Sequence, residues 1–308
     1  MELADRIERR LKLHDLRVLM TVVQAGSMGK AAKQLGTSQP AISRAIADLE
    51  HMLGVPLLDR DSHGVEATSF GRLVISRGVT VFDELRQTVS DIEFLSDPAA
   101  GEVRIATSIA VAVSFVSAVI DRLSKQYSRL SFDVLSTDNV TARRALEERR
   151  VDLTIGHLIE PVADSMTTEV LFHEPHVVVA GSTSALLRRR NLRLKDLADE
   201  RWMLPPPDSP FGSVVREAFR GEGLDLPCAV VTSLLPLRSS LLATGRFLTM
   251  VPQTVSDAAD KRIIRRLPLS LPKTLKPFGI VTVKNRSLSP PAELFIEHAR
   301  RLAATVAK

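Results

Sequence analysis

Residues 31–50, AAKQLGTSQPAISRAIADLE, favour helix almost throughout, yet they hold Gly36 and Pro40 only four residues apart. A single helix tolerates neither well, so the stretch reads as two helices meeting at a tight turn. Gly36 can take the left-handed backbone that ends a helix, because it has no Cβ to clash. Thr37 and Ser38 are both good N-cap residues for the helix that follows. Pro40 then falls in its first turn, where the missing N–H costs nothing. Ala31, Ala32 and Leu35 give the first helix a small inner face, and Ile42, Ile46 and Leu49 give the second an apolar stripe at helical spacing. Two helices joined by a short glycine-containing turn fit a helix-turn-helix. An ordinary helical hairpin in some core is the alternative on these residues alone.

The rest of the chain limits what such a module can belong to. At 308 residues there is room for two or more domains. One cysteine, Cys228, excludes an internal disulfide framework and a cysteine-rich zinc site. The opening MELADRIERR has no apolar run like a signal peptide. No segment reaches the roughly 18 uninterrupted apolar residues of a membrane span. The expectation is a soluble cytoplasmic protein. The net charge of +5 is unevenly spread: residues 1–100 hold 12 basic and 14 acidic side chains, and residues 101–308 hold 29 and 22. The candidate DNA-reading segment is therefore not basic overall, and a nucleic-acid role has to rest on local geometry.

Helical periodicity starts near Leu13, with Leu16, Leu19, Met20 and Val23 on one face. Gly26 ends that helix, Ser27 can cap the next, and a third runs to about Leu53 before Gly54. VPLL and VEAT, around a polar tip at SHG, read as a small hairpin, completing a winged helix-turn-helix over residues 1–69. From 70 to 95, Ile75, Phe82 and Val89 recur every seven residues, interleaved with Leu85 and Ile92, the spacing of a dimerising seam that Gly78 weakens, with packing on the helix's own domain as the alternative. SDPAAG, 96–101, reads as a hinge. Beyond it strands and helices alternate: VRIAT, a helix from about Ala110 to Tyr127, LSFDVLS, a helix ending in EERR, and VDLTIG. HVVVAG, AVVTS, a helix from about Pro236 to Thr244, FLTMVP, FGIVTVK and a helix from about Pro291 to Val306 complete the chain. The rhythm predicts an α/β body with mostly parallel sheets.

Residues 13–60, LHDLRVLMTVVQAGSMGKAAKQLGTSQPAISRAIADLEHMLGVPLLDR, resemble the LysR-type transcriptional regulators, and the likeness in element order extends over essentially the whole chain. GEVRIAT and RVDLTIG sit where that family has strands of its first lobe. Leu58 and Asp59 replace the usual phenylalanine and variable residue, and ATSFG replaces the usual pattern at the linker start. The resemblance implies an α/β protein: an N-terminal winged helix-turn-helix, a dimerising linker helix, and a two-lobed effector domain of the periplasmic-binding-protein (type 2) kind. Lobe I would take about 102–169 and 268–308, and lobe II about 170–267. It further implies a homotetramer, built as a dimer of dimers on double-stranded operator DNA, with no cofactor and no membrane.

A recognition helix shows its N-terminal residues to base edges in the major groove. Those are Ser38, Gln39, Pro40, Ser43 and Arg44. Gln39 can pair with adenine and Arg44 with guanine, each worth about 1–3 kcal/mol of discrimination. Pro40 offers apolar contact. Ser27, Lys30, Arg60 and His63 are placed to hold phosphates. The bland alternative leaves Gln39 and Arg44 as solvated helix residues.

Ligands of open α/β sheets sit beyond the carboxyl ends of strands. That selects Ser108, Thr137, Asn139 and His157 in the first lobe, and Ser209 and Ser233 in the second. Helix N-termini at Ser108 and Asn139 would favour an anion, although each residue can equally be a helix cap. By resemblance, Ser108, Thr137 and Ser209 match places that commonly contact the effector. RWMLPPPDSPFGSVV, 201–215, is similar to the subgroup of sugar-uptake and protocatechuate-catabolism regulators, which points to an aromatic acid or a sugar. Trp202 could stack on either or lie in the core. Closure of the cleft on its effector, coupled to DNA bend by about 1–3 kcal/mol, would be the mechanism.

Catalysis would need a constellation, and there is no HExxH, GxSxG, P-loop or GxGxxG; RRALEERRVD reads as a solvated helix face, or alternatively as an arginine excess that meets an acidic partner. The chain is expected not to be an enzyme. The remaining rivals are a solute-binding protein for transport and a regulator whose second domain binds a protein.

Overall fold

The computed structural model describes residues 3–61, 64–158, 163–269, 271 and 274–306. The chain divides into two compact units, Met1–Thr88 and Val89–Lys308.

In the first unit, α1 (Leu3–Arg10) precedes three short helices, α2 (Leu13–Ala25), α3 (Met28–Gln34) and α4 (Gln39–Leu53). Gly36 adopts φ +65°, Thr37 N–H donates to Ala32 O at 2.9 Å, and Gly36 N–H donates to Lys33 O at 3.3 Å. This is a Schellman stop. Two residues later Ser38 starts α4, its Oγ accepting from Ala41 N–H. Ile42, Ile46 and Leu49 are essentially buried, packed with Val18, Leu19, Val22, Ala31 and Ala32. Each contributes about 1.5–3 kcal/mol of burial. α4 is thus held by one face only.

β1 (Leu58–Asp61) and β2 (Gly64–Ala67) form the antiparallel wing, with Leu58 opposite Ala67. The Glu50 Oε1 atom accepts from Leu57 N–H at 2.7 Å and Leu58 N–H at 3.2 Å, fixing the wing's root to α4. On the other strand, Val65 N–H donates to Gly26 O, tying the wing to the α2–α3 turn. α5 (Ser69–Ser96) starts at Thr68, whose Oγ1 accepts from Gly71 N–H and donates to Pro56 O. The seam read from heptads needs correcting in its first half. Ile75 packs on the three-helix core, and Gly78 lies against Met20 and Leu16 of α2. Val81, Leu85, Val89, Ile92 and Leu95 form the exposed apolar stripe.

The second unit contains two five-stranded sheets. Lobe I orders its strands β4-β3-β5-β12-β6, where β3 is Ala100–Thr107, β4 Arg129–Ser136, β5 Leu153–His157, β6 Met166–Glu174 and β12 Lys276–Val283. Lobe II orders them β11-β7-β10-β8-β9, where β7 is His176–Gly181, β8 Trp202–Leu204, β9 Ala229–Val231, β10 Leu248–Pro252 and β11 Ile264–Arg266. The expectation of mostly parallel sheets is not met, because both are mixed. β3 runs parallel to β4 and β5, and β8 to β9 and β10, but β12 opposes β5 and β6, and β7 opposes β10 and β11. The strands beside the two crossovers, β6 into β7 through Pro175 and β11 towards β12, supply the antiparallel pairs.

Helices cover both sheets: α6 (Ile109–Val111), α7 (Ser117–Ser124), α8 (Asn139–Glu147) and α12 (Pro290–Val306) in lobe I, and α9 (Pro210–Gly221), α10 (Leu235–Ala243) and α11 (Gln253–Ala258) in lobe II. The single helix expected from Ala110 to Tyr127 is interrupted by a π turn, Ala112–Val116, which directs Phe115 and Val116 into the core. α11 of lobe II packs on that π turn. Deep in lobe I, Asp152, just before β5, ties the start of that strand to the middle of β3. Its Oδ2 accepts from Arg104 N–H at 2.9 Å, and its Oδ1 lies 2.6 Å from Arg104 Nη2 and 3.1 Å from Arg286 Nη2. The charge-dense segment 143–152 is therefore solvated only in part: Arg144 and Arg150 share Glu148 at the surface, while Asp152 is buried. Among the described residues no helix is long and apolar enough to cross a membrane.

Candidate nucleic-acid interface and interlobe cleft

The outward side of α4 follows from what its inward side must do. Because 42, 46 and 49 face the core, positions 39, 40, 43 and 44 turn away from it. Gln39, Pro40 and Arg44 are exposed and Ser43 is half-buried. Arg44 makes no ion pair among the described residues. Gln39 Oε1 lies beside Gly29, where an added Cβ would stand 3.5 Å from it. Ser38 and Ser27 each accept a backbone N–H as helix caps, from Ala41 and Lys30, so their oxygens are partly committed. Lys30 is exposed on α3, and Arg60 on the wing stands 3.9 Å from Glu50. His63 lies outside the described residues. The helix end, one flank of α3 and the wing root thus present polar side chains from a rigid frame. That frame can meet a duplex groove with donors while its caps stay satisfied. Glu50, which aims the wing, was not read from the sequence.

In the second unit the residues chosen at strand ends have definite jobs. Ser108 caps the helical stretch at Ile109, accepting from Val111 N–H. Asn139 is not a cap, since Asp138 takes that role, its Oδ1 accepting from Val140 and Thr141 N–H groups. Those bonds hold the Asp138 carboxyl below its ordinary value. A carboxylate already on the helix end removes the expected attraction of that end for an anion. Thr137 N–H donates to Thr107 O. Ser209 caps α9 and donates to Pro206 O. Ser233 is exposed after β9. Asn139 and His157 share a small cavity with Thr107, Arg143, Thr154 and Gly156. Trp202 belongs to the core: its Nε1–H donates to Leu197 O at 2.7 Å and its ring meets Phe219 edge-on.

The junction between lobes holds a polar cluster that sequence reasoning did not find, apart from His157. Glu174 ends β6, His176 begins β7, and both are buried. Glu174 Oε1 accepts from Thr254 N–H at 2.6 Å. Its Oε2 stands 2.9 Å from His157 Nε2, an ion-pair distance, although the angle is not that of a straight hydrogen bond. Burial pushes the Glu174 carboxyl up, but His157 and the Thr254 N–H outweigh it and hold it below the ordinary value. His176 Nδ1 faces Thr274 O at 2.9 Å, so that nitrogen carries the proton. Its Nε2 is buried with no hydrogen-bond partner among the described residues, as is Thr254 Oγ1. Burial brings His176 down to about 4. Rings run from Phe278 through His157 and His176 to Phe211, two residues past Ser209, and so connect the lobes. In lobe II, Arg238 Nη2 donates to Thr249 Oγ1 at 2.6 Å and Met250 O at 3.1 Å, while its Nε is buried with no hydrogen-bond partner among the described residues. No carboxylate among the described residues pairs with Arg238. The sequence signal for this cluster was the EPH triplet, 174–176, between two apolar strands.

Residues 13–72 match the bacterial regulatory helix-turn-helix protein of the lysR family, and residues 96–304 match the LysR substrate binding domain. Among curated relatives, the HTH-type transcriptional regulator GbpR of Azospirillum brasilense is 31% identical over 307 residues, covering 97% of this chain and 89% of its own. TdcA of Escherichia coli K12 is 26% identical, covering 95% and 94%. A full-length OxyR variant from Pseudomonas aeruginosa superposes with a TM-score of 0.68 at 19% identity, covering 95% of each chain. CbnR complexed with its target DNA superposes with a TM-score of 0.56 at 20% identity, covering 95% of this chain and 100% of its own.

Proposed function

The chain belongs to the LysR family of bacterial transcriptional regulators, and on that premise we propose that it binds duplex DNA in a sequence-specific way under control of a small molecule held between its lobes. The observation that carries the DNA half is α4, with one face locked in the core and Gln39, Ser43 and Arg44 turned away from it. Ser38, Gln39, Pro40, Ser43 and Arg44 read bases, and Ser27, Lys30, Arg60 and His63 hold phosphates. A relative of the same fold, CbnR, is known in complex with its target DNA. Residues 1–69 form the reader, 70–95 the dimerising helix, 96–101 the hinge and 102–308 the effector domain. The stripe Leu85, Val89, Ile92 supports pairing of two copies, and two such dimers make the assembly.

Ser108, Thr137, Asn139, His157, Ser209 and Ser233 line the effector's path, and the unsatisfied atoms of His176 and Thr254 mark its floor. Arg238 favours an aromatic acid over a sugar, because a half-buried guanidinium paired with no carboxylate among the described residues gains most from an anionic ligand. Regulation, not catalysis, is the role, and the cytoplasm its place. Capture of genomic fragments by the full chain is the test. Fragments sharing an inverted repeat support the reading, and an unrelated set refutes it. A thermal-shift screen of aromatic acids and sugars tests the effector half, since a ligand at 100 times its dissociation constant adds about 2.7 kcal/mol.

A further inference from the structure

The excess positive charge of this chain lies outside its DNA-reading module, and one surface of lobe II concentrates it. Between Glu174 and Asp196 there is no acidic residue, but there are Arg188, Arg189, Arg190, Arg193 and Lys195. All five are exposed, and none makes an ion pair among the described residues. The loop that carries them is fixed rather than loose. Leu186, Leu192, Leu194 and Leu197 are buried in the lobe II core, so four of the loop's five leucines are turned in, Leu187 is half-buried, and every cation is turned out. Asn191, at φ +57°, makes the bend between the two basic stretches. Asp196, the first acid to follow, has one oxygen occupied by the Arg193 backbone N–H at 2.9 Å.

A second basic segment joins the first. Ser182, at the start of the loop, donates its N–H to Ile263 O and its Oγ–H to Arg262 O. That brings the edge strand β11, with exposed Arg265 and Arg266, beside the loop. Charges on an edge strand can serve merely to block pairing with other sheets, but the loop arginines are on no strand and have no such use.

From this surface we infer that lobe II carries a sequence-independent phosphate-binding face for the backbone of duplex DNA. Guanidinium forks match phosphate oxygens bidentately, and four of the five loop cations are arginine. A protein partner is less well matched: docking anchors are apolar or aromatic side chains at the centre of a patch, and none of the four fully buried leucines here is available. The face also resolves the charge paradox, because the reader of residues 1–100 is net acidic while the remainder supplies the general attraction to a polyanion. The inference rests on the DNA-binding reading above.

The test uses the full chain and a mixed-sequence duplex of about 60 base pairs, with affinity measured across a salt series; each phosphate contact contributes ~0.9 to the slope of log affinity against log salt. The variant with Arg188, Arg189, Arg190 and Arg193 all changed to Gln should lose about 2 to 4 from that slope, and the matching Arg→Lys variant should keep most of it. An unaltered slope in the Gln variant overturns the inference and leaves the DNA-binding reading intact. Unaltered DNA binding with lost transcription in a purified polymerase system also overturns it, by assigning the face to a protein. Wild-type protein that binds no duplex overturns both.

Discussion

His176 should make lobe II sensitive to mild acid, and its surroundings set how much. The ring is buried, its Nδ1–H is spent on Thr274 O, and a proton added at Nε2 would find no acceptor. Its folded value is about 4, against about 6.5 in an unfolded chain. The folded value is the lower one, so the unfolded state takes up the proton first. Stability is therefore complete above about pH 6.5 and is lost as pH falls towards 4. At 1.36 kcal/mol per unit, about 2 kcal/mol is lost between pH 7.5 and 5, rising to about 3 kcal/mol below 4. Glu174 acts in the same direction, from the ordinary carboxylate range downward, and being common to both proteins it cancels in the difference between them. Trp202, the single tryptophan, is in the lobe II core and reports unfolding there by its fluorescence. His176→Asn can place an amide donor where Nδ1 stood, and loses the tilted ring contact with Phe211. Urea unfolding at both pH values should show the variant less stable near neutrality but with a pH dependence flatter by about 2 kcal/mol. His298, also lowered by burial, is common to both proteins and cancels in the difference. Equal pH slopes in the two proteins would refute the reasoning.

Three further outcomes follow from single contacts. Ser38→Ala removes the cap of α4 and should destabilise the first unit by about 1 kcal/mol in thermal unfolding; an unchanged melting point means the cap is idle. Asp152→Ala leaves Arg104 and Arg286 without their shared carboxylate, and should destabilise by about 3–5 kcal/mol in denaturant titration, whereas a loss under 1 kcal/mol contradicts the network. Val89→Asp with Ile92→Asp places charges on the exposed stripe of α5 and should convert associated protein to monomer in sedimentation; an unchanged assembly removes the stripe from the interface.

The turn at Gly36 was legible because its causes are local: a residue free to take positive φ, a hydroxyl cap and a proline, all within five positions. The lengths of α4 and α5 were legible for the same reason, since glycines and a change of apolar period bound them. Strand direction was not, because whether β12 lies parallel or antiparallel to β5 depends on a crossover more than a hundred residues away. Short β8 and β11 and the π turn carry no pattern of their own. The junction cluster is the extreme case: residues 157, 174, 176, 211 and 254 meet only in the folded chain, and only the EPH triplet hints at it. Between neighbouring Asp138 and Asn139 the sequence allows either cap, and the carboxylate that can take two N–H groups at once wins.

The assignment as a DNA reader is tested most directly by Arg44→Ala on a captured operator and on a mixed-sequence duplex of equal length. A base-reading arginine predicts that operator affinity falls about 5- to 150-fold, the equivalent of 1–3 kcal/mol, while affinity for the mixed sequence falls far less. An equal fall on both would make Arg44 a backbone contact and would contradict the claim that the leading end of α4 reads the groove.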